Sequence, residues 1–310
     1  MRTTNLITRL MTATLIISMV AISCKKETSS DELSPQEEQQ VAMASTQTEV
    51  ESELVLDDVF NNVIGLDNEV GIAGVGIFGQ ANLSGDLLTA RPDSVRCFTV
   101  TRTQLNPPAL FPLKVIIDFG TGCTGRDGRV RSGKIITLYT GRLFLPGNSA
   151  TTTFENHKID SISIQGTHKI TNTTGSTPGS NFTQFTIDAI DAKLTKPSGN
   201  YSKWNSHKVR TQVEGNGTPF ISHDDMFRID GHARGQVKHG GLIFNWKSEI
   251  VEPLFRKFLC RWVQKGVVKT WRETLPSTSP WVAILNFGNG ACDNQATLTI
   301  NGVSQQITLR

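Results

Sequence analysis

The sequence lacks an excess of charge of either sign, a long apolar run, and the short motifs of common catalytic sites. The chain carries 31 basic and 28 acidic side chains, so it offers no electrostatic attraction to nucleic acid or to an anionic membrane surface. It contains no C-x-x-C motif of a redox pair and no G-x-S-x-G motif of a nucleophile elbow. We therefore expect no nucleic-acid partner, no cofactor and no metal, and the sequence assigns no catalytic residue.

The apolar run at residues 10–22 is too short to span a bilayer, because a transmembrane helix needs about 20 such residues. Two arginines precede the run, and a small residue followed by cysteine ends it. This order is typical of a secretory signal peptide, here residues 1–23.

The end of the signal peptide, Ala21-Ile22-Ser23-Cys24, resembles the lipobox of bacterial lipoproteins. That resemblance implies cleavage before Cys24 and lipidation of its side chain. We therefore expect an outer-membrane lipoprotein of the cell envelope, attached to the membrane by its N-terminal lipid on the periplasmic or the surface side.

Export also bears on the other cysteines, which are Cys97, Cys123, Cys260 and Cys292. An even count in an oxidising compartment predicts two disulfides, and the count alone allows three pairings. An internal repeat selects one of them. VIIDFGTGC, ending at Cys123, parallels AILNFGNGAC, ending at Cys292, and a strand with one cysteine lies upstream of each copy. The parallel predicts the pairs Cys97–Cys123 and Cys260–Cys292.

The mature chain divides into three parts. Residues 24–48 are polar, acidic and without periodicity, which predicts a flexible tether. Residues 49–70 contain the only convincing helical pattern, with an apolar stripe that we expect to pack on a sheet. Residues 71–310 have the strand and turn pattern of an all-β domain, with cysteine-containing ends at 94–140 and 258–310. The apolar stripe of the predicted helix is formed by Leu56, Val59, Phe60 and Val63.

A repeat with a period of 42 residues organises the middle of this domain. Residues 185–209 match residues 227–251, and each unit has an alternating strand, a turn and a returning strand with one tryptophan. Each unit therefore predicts a β-hairpin. A weaker copy runs from residue 135 to residue 159, and further turns are expected at Ser132-Gly133 and Asn301-Gly302. The predicted fold is an antiparallel hairpin or meander array with one N-terminal helix and two disulfides.

This arrangement resembles a group of uncharacterised lipoproteins from Bacteroidota. The likeness lies in Ser23-Cys24-Lys25-Lys26, in DFGTGCTGRDGRVRSGK at residues 118–134, in Cys260-Arg261-Trp262 and in the end CDNQATLTINGVSQQITLR. It implies an address and an architecture, and it implies no activity.

Strand alternation suggests one candidate binding surface, which we call the aromatic platform. Successive side chains of a strand point to opposite faces. A turn centred near Gly240 would place aromatic and polar side chains of neighbouring hairpins on one face, where flat rings with flanking polar groups suit a sugar or a peptide. The alternative is that the aromatic residues pack under the helix or a second layer. The set comprises Phe154, Trp204, Trp246, Asp188, Asp230, His232 and Arg234.

Three functions follow from these patterns. The first is a non-catalytic binding or structural module with a glycan or protein ligand. The second is a glycan-active hydrolase that uses two of the carboxylates of Asp188, Asp224, Asp225 and Asp230. The third is a periplasmic accessory protein that adds a peptide strand to a sheet edge. Ser94 and Ser161 follow aspartate and precede Val or Ile, and they resemble the O-glycosylation motif of Bacteroidota.

Overall fold

A computed structural model describes residues 33–64, 97–125, 128–175, 182–215, 224–258, 260 and 262–309. The predicted signal peptide, Cys24 and Ser94 lie outside the described residues. Within them, the chain forms one helix and fourteen strands. These are α1 (Pro35–Ile64), β1 (Thr99–Gln104), β2 (Leu113–Asp118), β3 (Cys123–Thr124), β4 (Val130–Tyr139), β5 (Ser149–Ile159), β6 (Ile162–Asn172), β7 (Gln184–Thr195), β8 (Tyr201–Glu214), β9 (Met226–His239), β10 (Leu242–Lys257), β11 (Lys265–Arg272), β12 (Ala283–Asn289), β13 (Gln295–Ile300) and β14 (Val303–Thr308).

The strands form a single antiparallel meander. Apart from the short β3, which pairs only with β4, each strand lies next to its neighbours in sequence, from β1 at one edge to β14 at the other. The predicted disulfides are both present, and their Cα atoms are 5.3 Å apart in Cys97–Cys123 and 5.8 Å apart in Cys260–Cys292. The prediction of an all-β fold with one N-terminal helix and two disulfides is confirmed.

The 42-residue repeat corresponds to two hairpins, β7–β8 and β9–β10, which also pair with each other through β8 and β9. The weaker copy forms β4–β5. Asn301 and Gly302 have φ angles of 51° and 74° and connect β13 to β14, as the type I′ turn of an Asn-Gly hairpin requires.

The prediction of a turn at Ser132-Gly133 is wrong, because β4 continues through both residues. Gly133 instead occupies a β-bulge, where the ladder with β5 shifts between Ser132 and Lys134. A Cβ at Gly133 would lie 2.3 Å from the carbonyl oxygen of Asn156. The glycine that suggested a turn therefore permits close approach of two backbones within the sheet.

Helix α1 begins at Pro35, so the prediction of a flexible tether up to residue 48 is wrong. Ser34 caps the helix: its hydroxyl and its backbone N–H both donate to the Glu37 carboxylate, at 2.8 and 2.9 Å. This is a capping box followed by proline at the first helical position. The segment appeared disordered because its side chains are polar, yet many of them are buried against the sheet.

Glycine bulges bend the sheet around the helix. Gly166 in β6 has a φ of 106°, and a Cβ there would lie 2.6 Å from the carbonyl oxygen of Asp191 in β7. The ladder shifts at this point, as it does at Gly133 in β4 and at Gly266 in β11. Bulges increase local twist and bend a strand, so bulges in both halves of the sheet curve it into a trough.

The trough covers more than half of the helix circumference. At about 100° per residue, the buried positions of α1 span an arc of about 220°, whereas Met43 and Gln47 mark the exposed stripe. Helix side chains enter three separate core clusters: Phe60 belongs to one that includes residues of β2, Val55 to one that includes Trp204 of β8, and Ala42 to one that includes residues of β13. We call the sheet face that contacts α1 the concave face and the opposite face the convex face.

Candidate functional site

The aromatic platform does not form, because Trp204 and Trp246 are buried on the concave face at 2% and 0% exposure. Both indoles belong to the same core cluster as Val55 and Leu56 of α1. Phe154 is partly buried and joins the same cluster, with its ring stacked on His157 at 5.7 Å. The aromatic residues therefore belong to the packing beneath the helix, which was the alternative considered from the sequence.

In the second hairpin, the predicted pairing of the two strands differs from the observed pairing by one residue. The turn consists of Gly240 and Gly241, so Trp246 pairs with Gly235 and not with Arg234. A shift of one residue moves a side chain to the other face. Gly235 also pairs with Trp204. It thus lies between the two tryptophans in the ladder, and a Cβ there would lie 2.0 Å from the carbonyl oxygen of Lys203 and 2.9 Å from the Cα and Cβ atoms of Trp204.

A bulge causes the corresponding error in the first hairpin. Trp204 does pair with Ala192, as predicted. The ladder shifts between Ala189 and Ala192, however, and Asp191 takes a φ of 48°. The extra residue moves Asp188 to the convex face, away from Trp204.

The four polar members of the predicted set are separated from the aromatic residues and lie on the convex face. Asp230 accepts two hydrogen bonds from the Arg228 guanidinium, at 2.8 and 3.0 Å. Arg234 is exposed. Asp188 and His232 belong to a row that crosses four strands in register, Asp188–His207–His232–Glu249.

The convex row contains one oriented histidine. Nδ1 of His207 lies 2.7 Å from Oδ1 of Asp188, and the ring centroids of His207 and His232 are 6.0 Å apart. When Nδ1 carries the proton it donates to Asp188, which leaves Nε2 as an acceptor. The side chains of His207 and Asp188 are 51% and 31% exposed, so this row forms an open polar surface.

A second cluster, which the sequence analysis missed, connects α1 to the concave face through buried acid–base pairs. Lys208 of β8 contacts Glu49, at 3.0 Å, and Glu53. Arg210 of β8 contacts Glu53 and Asp57. We call this the buried charge cluster. Further buried pairs extend it along the helix: Arg272 of β11 with Glu38, Arg256 of β10 with Asp57, and Arg131 of β4 with Asp58.

The pKa values in this cluster reflect a balance between burial and pairing. Burial would raise the pKa of Glu53, but Lys208 and Arg210 outweigh it, and the pKa is lower than usual. Burial would lower the pKa of Lys208, but Glu49 and Glu53 outweigh it, and the pKa is higher than usual. Glu53 and Lys208 are therefore both charged near neutral pH. The spacing of Glu49, Glu53 and Asp57 at i, i+4 and i+8 was the available sequence signal, since it places three acids on one helix face.

Two buried histidines lie on the concave face. Burial lowers the pKa of His168 to about 3, and of His157 to about 4. Nδ1 of His157 lies 2.9 Å from the carbonyl oxygen of Ser132, whereas neither ring nitrogen of His168 has a hydrogen-bond partner. Both rings are neutral at physiological pH and act as packing groups.

The remaining candidates are dispersed. Ser161 is exposed in the β5–β6 turn, where Asp160 accepts hydrogen bonds from Arg129 and from the Val130 N–H. Asp225 is buried and accepts a hydrogen bond of 2.7 Å from Gln212. Burial, followed by the charge of Asp224, raises the pKa of Asp225 to about 6.

The two cavities found between the helix and the sheet are too small to hold a ligand. One, of about 20 Å³, lies between α1 and β7–β9, and the other, of about 10 Å³, lies within the buried charge cluster. Volumes of this size hold about one water molecule. In the described part of the chain, no three His, Cys, Asp or Glu side chains converge on a point suited to a metal ion. No helix among the described residues is long and apolar enough to cross a membrane.

Comparison with known proteins returned no match to this chain among protein-family models, curated proteins or solved structures.

Proposed function

We propose that this chain is a non-catalytic binding or structural module of the bacterial cell envelope, anchored to the outer membrane by lipid on Cys24. One structural observation supports the non-catalytic part. The concave face is filled by α1, while Asp188, His207 and His232 lie on an open convex surface. A protein built in this way binds its ligand across a surface, whereas enzymes and small-molecule receptors use concave pockets.

The anchor is tested by detergent phase partitioning of the protein expressed with its signal peptide. The lipidated chain should enter the detergent-rich phase, and Cys24→Ala should remain in the aqueous phase. If both variants partition into the aqueous phase, lipid attachment at Cys24 is refuted.

The binding surface is tested on an array of envelope glycans and on immobilised envelope proteins. A double variant, His207→Ala with His232→Ala, should weaken binding at least tenfold. The matched control is His239→Ala, which alters an exposed histidine at the β9–β10 turn, away from the row. Equal loss of binding in the two variants would exclude the convex row as the ligand surface.

A glycan-active hydrolase is the second candidate, and Asp225 favours it. A carboxyl group with a pKa near 6 is in the range of a general acid, and Asp224 is an adjacent carboxylate. Incubation with envelope polysaccharides, followed by a reducing-end assay, separates the two functions. Release of new reducing ends by the wild type but not by Asp225→Asn would replace the binding module with the hydrolase.

A further inference from the structure

Among the described strands, β14 is a sheet edge that lacks the usual protection. It pairs with β13 on one side, and no described strand pairs with its other side. Natural edge strands are commonly protected by charge, by proline or by a bulge. The sequence of β14, VSQQIT, contains no charge and no proline, and its ladder with β13 has no register shift. The opposite edge strand, β1, carries Arg102.

The hairpin geometry identifies the backbone groups of β14 that face outward. Ile300 and Val303 flank a two-residue turn, so they form a hydrogen-bonded pair. The Leu309 N–H donates to the Asn294 carbonyl at 2.8 Å, which continues the same alternation. Odd-numbered residues therefore bond to β13. The N–H and C=O groups of Ser304, Gln306 and Thr308 point away from the sheet.

An apolar side chain lies beside this open edge. Val303 is 70% exposed, the highest value among the described large apolar side chains. It is on the concave side of the strand, opposite Ile300, which is 5% exposed, and that row leads into the core cluster containing Leu298. The core thus ends at β14 with an apolar group still in contact with solvent, although burying it would be favourable.

We propose that β14 is a self-association surface, at which a second copy of this chain adds its own β14 in antiparallel pairing about a two-fold axis. The axis passes between Gln306 and Gln306 of the second copy. Ser304 of each copy then pairs with Thr308 of the other, and the three outward-facing residues exchange about six backbone hydrogen bonds. In the same register, Val303 lies opposite Leu309 of the second copy.

Self-complementarity favours a second copy over other partners. Gln306 meets its own amide across the axis, hydroxyl groups meet hydroxyl groups on either side, and no like charges face each other. A two-fold contact of this kind uses the same patch on both copies and closes after two chains. One strand pair buries less than the roughly 1,200 Å² of a stable interface, so the dimer is weak and depends on concentration. This inference does not rest on the proposed function.

Symmetric cross-linking tests the register. A residue on the two-fold axis faces itself at a Cα distance of about 5.5 Å, within the range of a disulfide. Ser304 lies two residues from the axis, so its two copies are about 14 Å apart. In the full chain carrying Cys24→Ser, Gln306→Cys should form a disulfide-linked dimer in glutathione redox buffer. The matched control, Ser304→Cys, should form at least tenfold less.

A second cross-linking experiment, in which two different cysteine variants are mixed, tests the pairing of Ser304 with Thr308. Ser304→Cys chains mixed with Thr308→Cys chains should cross-link to each other, because these positions are paired in the dimer. Labelling with a soluble maleimide checks that every introduced thiol is accessible. The proposal is overturned if accessible thiols at 306 remain uncross-linked, if Ser304→Cys dimerises equally well, or if Gln306→Cys cross-links only to a different polypeptide. Sedimentation of the Cys24→Ser chain should show dimer increasing with concentration, and a monomer throughout would also overturn it.

Discussion

Replacing Glu53 with glutamine should destabilise the protein strongly, although it removes only one charge and almost no volume. Glu53 lies between Lys208 and Arg210, and the side chains of all three residues are less than 10% exposed. Removing one partner of a buried pair costs about 3–5 kcal/mol, because the other partner remains buried with less compensation. Lys208 keeps Glu49 and Arg210 keeps Asp57, so we expect a loss near the lower limit, about 3 kcal/mol.

The same substitution at Glu155 is the matched control. Glu155 also pairs with a lysine, Lys134, at 2.9 Å, but the two side chains are 52% and 36% exposed. An exposed pair of this kind contributes far less to stability than a buried one, because water screens the two charges. Urea unfolding followed by tryptophan fluorescence would measure both losses, with an unchanged m-value as the check on two-state behaviour. Equal losses for Glu53→Gln and Glu155→Gln would refute the argument that burial determines the cost.

The pH dependence of the Glu53→Gln effect tests its electrostatic origin. The folded-state pKa of Glu53 is lower than the ordinary value of 4.5. The charge therefore stabilises the fold fully above about pH 4.5, and this contribution is lost as the pH falls through the folded-state pKa. The stability difference between wild type and Glu53→Gln should be largest near pH 7 and should shrink below pH 4.5. A difference that stays constant to pH 3 would assign the effect to packing.

Two further predictions concern the sheet. In urea titrations, Gly166→Ala should lower the unfolding free energy by at least about 2 kcal/mol more than Gly290→Ala. Both glycines have φ near 110°, but of the two only Gly166 has neighbouring backbone within 4 Å of a Cβ. Equal losses in the two variants would exclude steric contact at the bulge as the cause. His168→Leu should leave stability at pH 7 nearly unchanged, because neither ring nitrogen has a partner. The folded-state pKa of His168 is about 3, below the ordinary value of 6.5, so the wild-type protein loses stability as the pH falls below 6.5. At pH 4 the His168→Leu variant should therefore retain about 3 kcal/mol more unfolding free energy than the wild type. Thermal unfolding curves of the two proteins that shift equally between pH 7 and pH 4 would contradict this prediction.

The parts of the fold that the sequence predicted depend on local patterns. The two disulfides and the hairpins β7–β8 and β9–β10 follow from repeats, in which one unit indicates how the other folds. The turn at Asn301-Gly302 follows from the conformational preference of two residues. These predictions required no knowledge of which distant residues come into contact.

The candidate site could not be predicted in the same way, because its arrangement depends on bulges. Alternation assigns faces correctly only while the ladder is uninterrupted, and the bulge before Ala192 reverses the assignment of Asp188 relative to Trp204. Nothing in Ile190-Asp191 marks that position as a bulge. The glycine at 133 appeared to signal a turn, since the sequence does not show that Asn156 lies against it.

The prediction of a flexible tether was wrong over residues 35–48 for a different reason, which also explains the composition of α1. A helix that packs on a flat sheet needs one apolar stripe, and the apolar pattern of Leu56, Val59 and Phe60 meets that expectation. Here the sheet bends around α1 and buries polar positions of the helix as well, among them Glu38 and Glu49. These acids are compatible with burial only because the concave face supplies cations to pair with them. The buried charge cluster thus makes the helix and the trough depend on each other: without α1 the trough would hold unpaired cations, and without the trough α1 would be a polar segment with little reason to fold.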